Sequence, residues 1–139
     1  MVLRTTVEQA EGPVPITILA LDGELDASSY ERVIETVRQI YDAGGRKLLM
    51  DLAGLTFISS SGLVAMHSSL RLMRGEAPPD PEQGWAAMRA IGTEVADGRE
   101  GANLRLCGTQ DAVQKVLDRT GLGGLMPSYP DRATALVAF

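Results

Sequence analysis

Asp51-Leu52-Ala53-Gly54-Leu55-Thr56-Phe57-Ile58-Ser59-Ser60-Ser61-Gly62-Leu63 is the stretch whose reading decides the fold. An apolar run stops there, turns through three hydroxyls and restarts with helical spacing. The pattern predicts a strand-to-helix junction at one edge of a sheet, with serine hydroxyls beside the free N–H groups of a first helical turn. Such a place suits a phosphate.

Working outward, Leu48-Leu49-Met50 before this stretch is apolar without alternation, as expected of an interior strand covered on both faces. Upstream of it, Tyr30, Val33, Ile34, Val37, Ile40 and Tyr41 recur at helical spacing. Ser28 and Glu31 form a capping box for that helix, and Gly44-Gly45 supplies its stop. Ile16-Thr17-Ile18-Leu19-Ala20-Leu21 is a β-branched strand that Asp22-Gly23 or Glu24 ends or bends. Strand, capped helix and buried strand make a crossover unit, so these two strands are expected to be parallel neighbours. Before them, Leu3, Thr5 and Val7 alternate with polar residues, which predicts an edge strand with one face buried.

Beyond the serines, Leu63, Met66, Leu70 and Met73 give the second helix an apolar face, with Ser68, Ser69, Arg71 and Arg74 expected in water. After Pro78-Pro79, Asp80 and Pro81 start a further helical segment running to Val95 and carrying Trp85, Met88 and Ile91. Asp97-Gly98-Arg99-Glu100-Gly101 reads as a loop. Asn103 to Cys107 is a short strand closed by Gly108, and Thr109 or Asp111 caps a helix that ends at Gly121. Gly123 to Asp131 reads as irregular, and Ala133 to Phe139 as a last short helix. Strands first, then alternating helix and strand, indicate an α/β layer.

At 139 residues the chain fits one domain. A net charge of −5 with no basic cluster argues against nucleic acid, whose binding rests on neutralising phosphates. Cys107 is the sole cysteine, so neither an intrachain disulfide nor a cysteine-ligated metal site is expected. The N-terminal segment lacks a signal-peptide pattern and no apolar run approaches the ~20 residues of a membrane span, so a cytoplasmic protein without a membrane segment is expected.

The serine trio admits a nucleophile reading, but activation needs an oriented base. The single histidine, His67, lies about two turns down the same helix, at the expected edge of the core, and G-x-S-x-G is absent. One His and one Cys cannot close a zinc site, and Asp22, Glu24, Asp26 and Asp51 lack calcium-loop spacing. Gly121-Leu122-Gly123-Gly124 follows a helix, which is the wrong context for a dinucleotide loop. No cofactor is implied. The plainest reading of the serines is that one caps the helix, worth about 1 kcal/mol. One cap leaves two small polar residues and Gly62 unexplained, so cap and functional hydroxyl both stay open.

Gly23-Glu24-Leu25-Asp26, Asp51-Leu52 with Leu55, Phe57 and Ile58 leading into Ser59-Ser60-Ser61-Gly62-Leu63, and Leu104-Arg105-Leu106 before the third helix resemble the STAS domains, and within them the bacterial anti-sigma-factor antagonists. The resemblance spans nearly the whole chain except an insertion at about 76–101. It implies a single STAS-type α/β domain: a mixed sheet of four to five strands, helices packed on one side, and a helical insertion after the second helix.

The family's phosphate acceptor falls on Ser60, with Ser59 where many members carry aspartate, and its acidic residue after the second strand falls on Asp26. The implied partner-binding residues are Asp26, Ser28, Ser29, Ser59, Ser61, Gly62 and Leu63. The implied partners are an anti-sigma factor that is also a serine kinase, and a serine phosphatase that resets the switch. The implied protein is a regulatory module without enzymatic activity. The alternative is a non-switching STAS scaffold or a soluble subunit of a membrane transporter; in the insertion, Trp85 reads as a packing anchor, with a homodimer or accessory interface there as the second reading.

Overall fold

The structure, a computed structural model, describes residues 3–76 and 103–139. The helical segment expected from Asp80 to Val95, with Trp85, and the loop from Asp97 to Gly101 lie outside the described residues.

Among the described residues the sheet has five strands in the order β1-β2-β3-β4-β5: Arg4–Glu11, Pro15–Leu25, Leu48–Ile58, Leu104–Cys107 and Ser128–Tyr129. β1 is antiparallel to β2, and every other neighbouring pair is parallel. β3 is interior, as its unbroken apolar start demands: Leu48, Leu49 and Met50 are all inaccessible to solvent. The crossover between β2 and β3 is the helix α1, Tyr30–Asp42, which buries Val33, Ile34, Val37 and Ile40. Gly44 reverses the chain after it with φ +104°, a left-handed conformation that glycine adopts without steric cost. The helices α2, Ser60–Met73, and α3, Asp111–Thr120, follow β3 and β4. Together α1, α2 and α3 cover one face of the sheet, where Leu19, Met50, Leu63, Met66, Leu106 and Leu117 belong to one continuous core. The C-terminal helix α4, Arg132–Ala138, lies on the opposite face, with Ala135 against Ile16, Ile18, Leu49 and Cys107. Among the described residues no helix is long and apolar enough to cross a membrane.

Several local expectations fail for identifiable reasons. β1 is an edge strand, but none of its residues is buried: Leu3, which is, precedes the strand, and Val7 is 48% exposed. α1 begins after Ser29, whose side chain makes no capping bond, and Ser28 hydrogen-bonds Asp26 instead of closing a capping box. α2 is buried almost all round: Ser68 and Ser69 are inaccessible, and His67 is 1% exposed, so it belongs to the interior and not to its edge. The Ser69 hydroxyl satisfies itself locally, donating to the Ala65 carbonyl at 2.7 Å. Neither Thr109 nor Asp111 caps α3; Gln110 holds that position without a side-chain bond. Within the stretch read as irregular, Ser128–Tyr129 adds a fifth strand, parallel to β4.

Candidate functional site

The serine turn is positioned by strand pairing. Leu25 and Ile58 are register partners at the ends of parallel strands β2 and β3, so Asp26 and Ser59, the next residues, leave the sheet side by side. The Ser59 N–H donates to the Leu25 carbonyl at 2.9 Å and ties the two exits together. Carboxyl ends of neighbouring parallel strands are where open α/β sheets place their ligands.

Ser59 has extended backbone (φ −95°, ψ −179°) and caps α2, its Oγ accepting from the Gly62 N–H at 3.3 Å. The first intrahelical bond runs from the Leu63 N–H to the Ser59 carbonyl at 3.0 Å. The N–H groups of Ser60 and Ser61 therefore have no intrahelical acceptor and stand at the positive end of the helix dipole. Ser60, the first residue of α2, is exposed, and its hydroxyl makes no hydrogen bond among the described residues. Gly62 lets the turn sit down on the sheet: a Cβ there would come 2.6 Å from Ile58 Cγ1 and 2.7 Å from the Leu25 carbonyl oxygen.

The adjoining turn is organised by Asp26. Its carboxylate accepts from the Ser28 hydroxyl at 2.6 Å and the Ser28 N–H at 2.9 Å, with the Ser29 hydroxyl at 3.5 Å. The Ser28 hydroxyl, then the Ser28 N–H, hold its pKa below the ordinary value of 3.8, so Asp26 is an anion at neutral pH. Ser29 turns inward, donating to the Glu24 carbonyl at 3.1 Å and accepting from the Asp26 N–H at 3.1 Å.

Sequence-predicted residues thus divide in two. Ser28 and Ser60 are exposed, and Asp26, Ser59 and Ser61 are half-buried on the same rim, whereas Ser29, Gly62 and Leu63 are buried and shape the turn from beneath. Phe57, 47% exposed two residues before Ser59, is a surface residue that the sequence reading did not assign to a contact. Strict alternation from Leu55 would bury it. Two register shifts against β2 instead give β3 two extra residues between Asp51 and Ile58, and the second brings Phe57 opposite Glu24 and out of the core. The available signals are the glycines inside the two strands: Gly54 of β3 stands at the first shift and Gly23 of β2, with φ +118°, at the second. His67 and Cys107 are buried, and burial, then the nearby Asp51 charge, push the Cys107 thiol up to about 11, far from a reactive thiolate.

The sequence model of the STAS domain matches residues 6–76, from β1 through α2, and so includes both turns. The chain superposes on an anti-sigma factor antagonist from Mycobacterium paratuberculosis with a TM-score of 0.67 and 18% identity, over 99% of this chain and 93% of that one. It superposes on the phosphorylated form of the Bacillus cell fate determinant SpoIIAA with a TM-score of 0.53 and 19% identity, over 95% and 96%. A variant of Moorella thermoacetica RsbS gives 0.51 and 17%, over 94% and 89%. At these identities the structures speak for the fold. No curated protein sequence matches. With more than half of its length matched by the family's own sequence pattern, and with that family's fold, the chain belongs to the STAS domain family.

Proposed function

We propose that this protein is a cytoplasmic anti-sigma-factor antagonist switched by phosphorylation of Ser60, a binding protein and not an enzyme. The single observation that carries the assignment to Ser60 is the division of labour in the turn. Ser59 uses its side-chain oxygen as the helix cap, while the neighbouring Ser60 hydroxyl is exposed and uncommitted among the described residues. The family membership and the descriptions of the structural neighbours as anti-sigma factor antagonists support the role.

Unmodified, the rim of Asp26, Ser28, Ser60 and Ser61 docks on an anti-sigma factor that is also a serine kinase. The Ser60 Oγ attacks the γ-phosphorus of ATP, ADP leaves with the bond-breaking electron pair, and the hydroxyl proton passes to solvent. The product ester brings roughly −1.5 to −2 charges at pH 7. The N–H groups at the start of α2 accept that charge without disturbing the fold. The docking surface does not, because the phosphate stands on the same rim as the Asp26 carboxylate and its burial against a partner would leave both anions desolvated. A serine phosphatase restores the hydroxyl.

Incubation with the cognate kinase and ATP, followed by peptide mass spectrometry, is expected to place one phosphate on Ser60 and none in Ser60→Ala. Label that persists in Ser60→Ala moves the switch elsewhere. No label at all, with Ser60→Ala silent in cells, leaves a STAS scaffold that does not switch.

A further inference from the structure

Ser60 reaches its place through β3, and β3 gets there irregularly. From Leu48 to Asp51 the strand is paired on both sides, with β2 and with β4. β4 leaves after the Asp51–Cys107 pair, so among the described residues β2 is the one strand beside Leu52 to Ile58. That singly paired stretch holds both register shifts. Leu52 and Ala53 together face Leu21, and Thr56 is the extra residue between the Leu55–Gly23 and Phe57–Glu24 pairs. The core follows the same rhythm: Leu48, Met50 and Leu52 enter it in strict alternation, and then Leu55 and Ile58, each one residue late.

An extra residue is rare in a parallel pair and leaves backbone groups without their ladder partners. Here side chains take up that role at both shifts. Asp51 Oδ1 accepts from the Ala53 N–H at 3.0 Å, and the Gln110 side-chain amide donates to the Ala53 carbonyl at 2.7 Å. At the second shift the Thr56 hydroxyl donates across to the Gly23 carbonyl at 3.0 Å. The other oxygen of Asp51 accepts from Arg132 Nε at 2.6 Å, which fixes the rotation of the carboxylate. Either shift alone would turn the rest of β3 over, because its side chains alternate with a period of two. Together they return Ile58 to the core and bring the Ser59 N–H to the Leu25 carbonyl, next to Asp26.

We propose that Asp51 and Thr56 are positioning residues of the switch. Each pins one shift, and the pair sets the register that delivers Ser60 to the rim beside Asp26. As a device of the switch this rests on the role proposed for Ser60. Asp51 acts at a distance, up to roughly 26 Å of strand before Ser59 at about 3.3 Å per residue. Arg132 orients Asp51 but does not hold the shift, since the Ala53 N–H is bound by the other oxygen.

Amide hydrogen exchange of the full-length chain, followed by NMR, tests this at the Ser59 N–H, with the Leu49 N–H in the doubly paired part of β3 as internal reference. Asp51→Ala and Thr56→Val should each speed Ser59 exchange relative to Leu49 by about fivefold, the worth of one hydrogen bond. Asp51→Asn keeps an acceptor for the Ala53 N–H and Thr56→Ser keeps the donor, so both should stay near wild type. Arg132→Met should also stay near wild type at Ser59 while α4 loosens. With the cognate kinase, kcat/KM for Ser60 should fall in Asp51→Ala and Thr56→Val and recover in the two conservative variants. The exchange readout needs no kinase, so it decides the positioning roles whether or not Ser60 carries a phosphate. A wild-type ratio of Ser59 to Leu49 exchange in Asp51→Ala or Thr56→Val overturns the proposal. So does an effect of Asp51→Asn or Arg132→Met as large as that of Asp51→Ala, which would assign the role to α4. Should Asp51→Ala fail to fold, Thr56→Val decides, because Thr56 is exposed.

Discussion

At the scale of single residues, adjacent serines of the turn hold different jobs. Ser59 is extended and spends its oxygen on the Gly62 N–H, while Ser60, one residue on, points its hydroxyl to solvent from the first helical position. Ser60→Glu is therefore expected to retain the far-ultraviolet spectrum and thermal midpoint yet lose the kinase complex in a pull-down, because an anion is welcome at the helix start and unwelcome in the interface. Unchanged affinity would show that charge is not the switch. The neighbouring Asp26 owes its lowered pKa first to the Ser28 hydroxyl. A carboxylate depressed in the folded state adds stability above its unfolded value and loses it as the pH falls through the folded one. Ser28→Ala should therefore raise the Asp26 pKa toward 3.8 in an NMR titration and move the acid-side loss of its contribution to higher pH. A titration curve that does not move would assign the shift to the backbone N–H.

Elements carry a different lesson, seen in α2. Its pattern of Leu63, Met66, Leu70 and Met73 correctly marks a core face, but Ser68 and Ser69 on the flank are inaccessible too. The Ser69 hydroxyl finds the Ala65 carbonyl, whereas Ser68 Oγ is buried with no hydrogen-bond partner among the described residues. Burying a hydroxyl without a partner costs on the order of 1–3 kcal/mol, so Ser68→Ala is expected to stabilise the fold by up to about 1 kcal/mol in urea denaturation. Ser59→Ala, which removes the cap of the same helix, should cost about 1 kcal/mol in the same assay. If both changes were neutral, neither the cap nor the buried hydroxyl would matter to α2.

Across the whole molecule, the C-terminal helix is held to the outer face of the sheet by Arg132. Its guanidinium donates to Asp51 of β3 and to Glu8 of β1, each at 2.6 Å, so one side chain spans from an interior strand to the edge strand. The two carboxylates hold the Arg132 pKa above its ordinary value, Asp51 contributing first. The Glu8 arm is about half exposed and worth little, while Asp51 is more enclosed, with side-chain exposure of 15%. Arg132→Met should cost about 1 kcal/mol, lost in part from wild type at high salt, and should speed hydrogen exchange in α4 while leaving α2 protected. Arg105 supports the same corner, donating to the Tyr129 hydroxyl at 2.5 Å and lying 4.9 Å from the Phe139 ring centroid.

Local chemistry alone determined much of this protein. The unalternating Leu48-Leu49-Met50, the glycine stop after α1 and the return of helical spacing at Leu63 each depend on residues within a turn or two. The parallel unit and the place of the serine turn therefore follow from the sequence, as does the anion-friendly character of that turn. Tertiary structure decided which residues of the turn face outward. Asp26 leaves the sheet beside Ser59 because β2 and β3 end together, Phe57 is expelled because β3 carries one extra residue against β2 after Leu55, and Ser68 is enclosed because α2 packs on more than its apolar stripe. The first two outcomes are set by pairing between segments some thirty residues apart, and a one-residue slip in register reverses which side of a strand is buried.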